Sequence, residues 1–254
     1  MKTLLLLCGI LTTCLLNAQD KTEQYFVIKV QGEIQRLKTG NLLNTGDEFN
    51  SNESLNFRTD YSRAAVISPR KGRFILSSPS KSNNDSRANF LPPMNNLSSR
   101  AVIASTTNDI LEYFSGEVIF LGYDSIKYDN SKLVLDQDNY FILSFDSSGV
   151  ESKHTLNASS GLICINRDIL FRNQQPKAAK ITFHSSLKDD QTVEFVPVFP
   201  DYNKLSGEVK LIIANSTQKQ RKDVVNDVTS YLNDFYGKIS QSTVDNWLKQ
   251  NFRF

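Results

Sequence analysis

The chain has 254 residues, enough for one large domain or two small ones with a buried core. Its 29 Lys and Arg nearly balance 27 Asp and Glu, for a formal net charge of +2, so the overall composition carries no electrostatic footprint for nucleic acid. Three cysteines are too few for a disulfide framework.

The first stretch has the layout of a secretory signal peptide. Lys2 gives a positive start, Leu4 to Leu16 an apolar run, and Asn17-Ala18 a small-residue exit. Cleavage is expected after Ala18. The run is shorter than the roughly 20 residues a spanning helix needs, so no transmembrane segment is expected after cleavage. Leu11-Thr12-Thr13-Cys14 partly matches a lipobox and is the competing reading, with Cys14 lipidated. Loss of residues 1–18 removes Cys8 and Cys14 and leaves Cys164 alone between Ile163 and Ile165, a setting that predicts a buried, unreactive thiol.

From Gln24 the chain reads as a small β-domain over residues 19–76. Phe26, Ile28 and Val30 alternate with Lys29 and Gln31, the period of a half-buried strand. Further runs follow at Leu55–Phe57, Ala64–Ile67 and Phe74–Leu76, punctuated by Gly32, Gly40-Asn41, Gly46-Asp47 and Lys71-Gly72. Gly32, Leu37, Gly40, Leu42, Leu43-Asn44-Thr45-Gly46-Asp47 and Ala64–Ile67 together resemble the pattern of FecR-type periplasmic β-domains. The resemblance covers about one fifth of the chain and implies a small envelope β-module. FecR regulators place a cytoplasmic segment and a spanning helix before that module, and here a cleavable leader is expected instead, so the sigma-factor signalling role is not carried over. The Ala18-Gln19 junction likewise resembles bacterial envelope proteins of one Gram-negative phylum.

Residues 77–105 are dense in Ser, Asn and Pro and read as a connector, with Phe90–Met94 an apolar island expected to fold back on a neighbour. A second β-region is expected over 106–200, with strands at Glu117–Leu121, Lys132–Leu135, Tyr140–Phe145, Leu162–Ile165, Lys180–Phe183 and Thr192–Phe199, and a single helical turn at Ile110–Tyr113. Pro197 lacks an N–H and predicts that the last strand lies on an edge or at a bulge.

Over 201–254 the period changes. Leu205, Val209, Ile212 and Ile213 suggest a first helix; Val224, Val228, Tyr231, Leu232 and Phe235 recur at steps of three and four in a second. Thr217 with Gln220 resembles a capping box, and Gly237 is placed as the stop. A last helix carries Val244, Trp247, Leu248 and Phe252, with Ser242 and Asp245 as its capping pair. The fold class that follows is α+β: two mainly antiparallel β-rich regions and a C-terminal cap of two to three helices.

Chemistry-bearing residues are sparse. His154 and His184 lack metal-ligand spacing, and Asp136-Gln137-Asp138-Asn139 lacks the Gly and distal Glu of an EF-hand loop. No phosphate-cradling loop or nucleophile elbow is present, so no catalytic, metal or cofactor site is assigned. Basic pairs such as Arg70-Lys71 and Arg221-Lys222 read as solvated faces. Asp124-Ser125-Ile126 resembles the O-glycosylation signature of the same phylum and nominates Ser125. In a eukaryotic host Asn52, Asn84, Asn96, Asn157 and Asn215 would instead be N-glycosylation acceptors.

These observations suggest an exported, non-enzymatic binding or scaffold protein of the bacterial envelope, whose partner is another envelope protein. Trp247, Tyr231, Tyr236 and Phe252 are its candidate interface aromatics. The alternative is a hydrolase with a site assembled from Asp136, Asp138, His154, His184 and Cys164.

Overall fold

The structure is a computed structural model that describes residues 22–78, 89–91, 103–147, 149–172, 174–216 and 220–253. The expected signal peptide, most of the connector, and Thr217 lie outside the described residues. The described chain is α+β, with mostly antiparallel sheets and three successive helices at the C-terminal end. It divides into two compact units. One runs to Lys71 and includes Leu76–Asn89; the other comprises Gly72–Ile75 and Phe90–Phe254.

The first unit is built on strands β1 (Gln24–Gln31), β2 (Ile34–Arg36), β3 (Glu48–Asn50), β4 (Leu55–Phe57) and β5 (Arg63–Ser68). The chain continues through β6 (Gly72–Ser77) and β7 (Asn89–Leu91), each divided between the two units; within the first unit β1 pairs antiparallel with β3 and β5, and β2 with β4. Phe90 and Leu91 of the apolar island thus form a strand.

The alternation expected in β1 changes phase part-way. Tyr25 and Val27 are buried while Phe26 is half-buried, and a bulge between Val27 and Lys29 then buries Ile28 as well. An inserted residue lets two consecutive apolar side chains both reach the interior.

The Leu43–Asp47 turn is closed on β1. Val27 N–H donates to Asp47 O and Gly46 N–H to Val27 O, both at 2.8 Å, while Asn44 N–H donates to the Asp47 carboxylate at 2.9 Å. Gly46 adopts φ +89°, the left-handed region that glycine enters without cost. Near the start of β1 the buried Glu23 accepts from the Ser68 hydroxyl and lies 2.8 Å from Arg70 Nη2. The Ser68 hydrogen bond first, and then Arg70, hold its carboxyl below the usual range.

In the second unit α1 (Thr107–Tyr113) opens on a reciprocal capping box between Thr106 and Asp109, extending the expected single turn to seven residues. The strands are β8 (Gly116–Ile119), β9 (Tyr123–Lys127), β10 (Asn139–Ser147), β11 (Val150–Thr155), β12 (Asn157–Ser159), β13 (Leu162–Asn166), β14 (Ala179–Ser185) and β15 (Lys188–Val198). They form one sheet of order β11-β10-β14-β15-β8 and another of order β12-β13-β9. Helix α2 (Arg167–Phe171) follows β13 directly, capped by Asn166.

Phe141, Leu143 and Phe145 of β10 with Ile181 and Phe183 of β14 turn into a core shared with Phe114, Phe120, Phe171 and Phe195. The rings of this core meet at 5.0–6.2 Å between centroids, within the range of edge-to-face and offset pairs.

Two expectations are corrected here. Lys132–Leu135 is not a strand, because Asp129 closes a turn over it: its carboxylate accepts from Ser131 N and Oγ and its carbonyl from Lys132 and Leu133 N–H. Pro197 does not put β15 on an edge. The β14 pairing stops at Phe195, so Pro197 faces no antiparallel partner there, and β8 covers the other side in parallel, with Pro197 opposite Val118. The missing N–H falls where it interrupts no β14 ladder.

Helices α3 (Tyr202–Ala214), α4 (Arg221–Phe235) and α5 (Gln241–Asn251) complete the unit. Gly237 ends the turn after α4 at φ +132°, and Lys238 then forms a parallel bridge with Val118, trading backbone hydrogen bonds with Glu117 and Ile119 at 2.8 and 2.9 Å. The cap of α5 is Ser240, whose Oγ accepts from Thr243 N–H at 3.1 Å, not Ser242. Asp245 therefore lies in the second turn, free for other contacts. Phe252 lies past the helix, in extended backbone, its ring 5.3 Å from that of Trp247.

Candidate functional site

Two of the four aromatics expected at an interface, Tyr231 and Trp247, are buried in the interior. Tyr231 is 0% and Trp247 5% exposed, and Tyr236 and Phe252 are half-buried. The hydroxyls of Tyr231 and Tyr236 both donate to Glu208 Oε2 at 2.6 Å, fastening α4 and the turn after it to α3. Burial is the first cause that raises both phenols, with the Glu208 charge and hydrogen bond adding to it. At helical spacing, aromatics seam helices together more often than they face a partner. Ser125, nominated for O-glycosylation, is 9% exposed in β9, opposite Cys164.

The residues of the hydrolase alternative are not brought together. His154 stands opposite Leu143 and His184 opposite Tyr140 across β10. Leu143 and Tyr140 are an odd number of residues apart, so the two imidazoles project from opposite faces of one sheet. His154 stacks on Phe145 with ring centroids 6.0 Å apart, while His184 Nδ1 lies 2.8 Å from Asp190 Oδ1 beside the Tyr140 ring.

Cys164 belongs to the other sheet, where it is half-buried rather than buried. Ile163 and Ile165 take the core face, and the alternation turns the thiol away from it. Asp136 Oδ1 is occupied in closing its own turn, accepting from Asp138 N–H and Asn139 N–H at 2.9 Å each. Among the described residues no three His, Cys, Asp or Glu side chains converge as a metal site.

What the fold does assemble is a basic groove of about 630 Å³ where the end of β9 meets the first turns of α4 and α5. Lys127 comes from β9; Arg221, Lys222 and Val225 from α4; Gln241, Ser242, Asp245 and Lys249 from α5. Four cations face one carboxylate. Asp245 Oδ1 receives Arg221 Nη2 at 3.0 Å and Nε at 3.3 Å, and its Oδ2 receives Lys249 Nζ at 2.6 Å. The Lys249 contact first, and Arg221 after it, keep the Asp245 carboxyl below its ordinary range, so it is ionised at neutral pH.

Lys127 and Lys222 make no ion pair with a described residue. The buried Val225 gives the groove an apolar floor, and Gln241 Nε2 donates to Asn226 Oδ1 at 2.6 Å, tying the start of α5 to α4.

Both helix openings add to the positive field. Gln220 caps α4 without a side-chain hydrogen bond, and at α5 the Ser240 hydroxyl satisfies only Thr243 N–H among the first-turn donors. The N–H groups of Lys222, Gln241 and Ser242 find no acceptor among the described residues. Uncommitted first-turn amides carry the positive end of the helix dipole and accept anionic oxygens. Another cleft of about 660 Å³ beside Tyr128 shares Lys127 with this groove and adds Lys132, which sits 3.5 Å from Asp129.

Behind the groove, on β9, lies a buried carboxylate. Asp124 is 4% exposed, and neither oxygen has a hydrogen-bond partner of good geometry. Burial pushes its pKa up to about 7, against the weaker pull of Thr243, the Leu121 amide and the Arg167 charge. Arg167 stacks its guanidinium 5.4 Å from the Phe199 ring centroid and 5.1 Å from that of Tyr202.

No family model matches the chain, and no curated protein matches it.

Proposed function

We propose that the chain is an exported, non-enzymatic binding or scaffold protein of the bacterial cell envelope that works through contact with another envelope protein. Export rests on the N-terminal leader with its Ala18 junction, with lipidation at Cys14 the competing fate. The observation that carries the binding role is the groove at the openings of α4 and α5. It gathers Lys127, Arg221, Lys222 and Lys249 around a single Asp245, and so offers an excess of positive charge over an apolar floor.

The dispersal of His154, His184 and Cys164 over separate faces and sheets supports recognition over hydrolysis. Complementary charge steers a partner and sets its register. In-cell cross-linking with amine-reactive reagents tests the reading: Lys127, Lys222 or Lys249 is expected to link reproducibly to one other exported protein. Links from these lysines only to other parts of the same chain would overturn it.

A further inference from the structure

We infer that the groove receives an extended acidic segment of the partner, with carboxylates at alternate positions, and that Asp245 holds part of this site closed from within. The inference rests on the binding role proposed above. Asp245 shows in the chain itself what the groove recognises: one carboxylate engages a guanidinium through two nitrogens and an ammonium at 2.6 Å.

The cationic groups are spread along the groove rather than focused on a point. From the open amide of Ser242 to Lys249 is seven residues of α5, about 10 Å of helix rise. Same-face side chains of an extended peptide recur about every 7 Å. Two such carboxylates, with the reach of a lysine stem, bridge from the opening of α5 to Lys249, whereas a lone phosphoryl group would engage only one end. Arg221 meets Asp245 while Gln241 meets Asn226, so the two helices run antiparallel here: the first carboxylate meets the N–H groups of Gln241 and Ser242 with the Lys127 ammonium, and the second competes with Asp245 for Arg221 and Lys249 beside the Lys222 ammonium.

The test uses the mature chain and a fluorescein-labelled hexapeptide of alternating Glu and Ser, followed by anisotropy. A peptide with Lys in place of Glu and inorganic phosphate as competitor provide the other arms. Binding of the acidic peptide is expected to weaken steeply as salt rises. It should fall by about tenfold or more in Lys127→Glu/Lys222→Glu, as expected when complementary charges become like charges. Asp245→Asn removes the carboxylate that competes for Arg221 and Lys249 and should tighten it about threefold to tenfold, an effect that a merely structural aspartate would not produce. Thermal melts show that each variant is folded, and Lys127→Gln/Lys222→Gln, with intermediate affinity, confirms a charge effect.

No binding by the folded wild type, equal binding by the charge-reversed variant, or displacement by phosphate as effective as by unlabelled peptide overturns the inference. If the peptide fails while cross-linking still captures a partner through the groove lysines, the acidic segment is wrong and the binding role stands; failure of both removes both.

Discussion

Replacing Asp124 with Asn should remove a pH-dependent weakness of the second unit. The Asp124 carboxyl titrates near 3.8 when exposed and is pushed up to about 7 in the fold, chiefly by burial. A displacement of about three pH units at about 1.4 kcal/mol per unit amounts to about 4 kcal/mol. Between those two values the folded chain keeps a proton that the unfolded chain has released. Stability must therefore fall as pH rises from about 4 through about 7 and level off above that, because the folded state binds more protons across the window. The amide introduced by Asp124→Asn cannot ionise, so this contribution vanishes, and the variant should exceed the wild type at pH 8 by up to a few kcal/mol. Urea unfolding at pH 5, 6, 7 and 8 measures it. If the wild type shows no such decline, or Asp124→Asn declines equally, then Asp124 is not buried in the way described.

Other substitutions probe the joints of the fold. In Gly237→Ala the new methyl would lie 2.7 Å from Glu117 O and 2.8 Å from its Cβ at a φ of +132°, so a loss of about 2–4 kcal/mol is expected in urea melts; a loss under about half a kcal/mol would mean that α4 does not seat on β8 as described. Gly46→Val meets no neighbour within 4 Å, so only its φ of +89° counts, and the cost should be about 1–2 kcal/mol; an unchanged melting temperature would refute the turn. Within the second unit Arg73 Nη1 lies 2.8 Å from Asp234 Oδ2, both side chains being buried, and Arg73 Nη2 donates to Ser230 Oγ at 2.6 Å. Arg73→Met alone should cost about 3–5 kcal/mol by stranding a buried carboxylate, and Arg73→Met/Asp234→Leu should recover much of that loss. Equal stability of the single and double variants would show that the pair carries no such strain.

Much of the secondary structure was legible because its periods are strong. Phe141, Leu143 and Phe145 alternate in β10, and the three- and four-residue steps of Val224, Val228, Tyr231, Leu232 and Phe235 form the buried side of α4. The C-terminal helices and the positive φ of Gly46 follow the same local rules.

Illegible features depend on pairing across distance. Strand β11 reads as polar on both faces and is specified by its register with β10, and the half-exposed Cys164 follows from which face of β13 meets the core. Ser240 and Ser242 are equally good caps in isolation, and the chain path from Lys238 along β8 decides between them. The groove was the least visible part. Arg221 and Lys222 read as an ordinary solvated face until folding sets them opposite Lys127, almost a hundred residues away, and against Asp245. The aromatics drew attention from sequence because aromatic residues anchor many interfaces, but helical spacing sends Tyr231 and Trp247 inward.

Binding of another envelope protein through the basic groove is tested most directly by affinity purification after in-cell cross-linking, comparing the wild type with Lys127→Glu/Lys222→Glu at equal expression and equal melting temperature. One exported partner should be recovered with the wild type and reduced about tenfold or more with the variant. Equal recovery of the same partner by both proteins would contradict it.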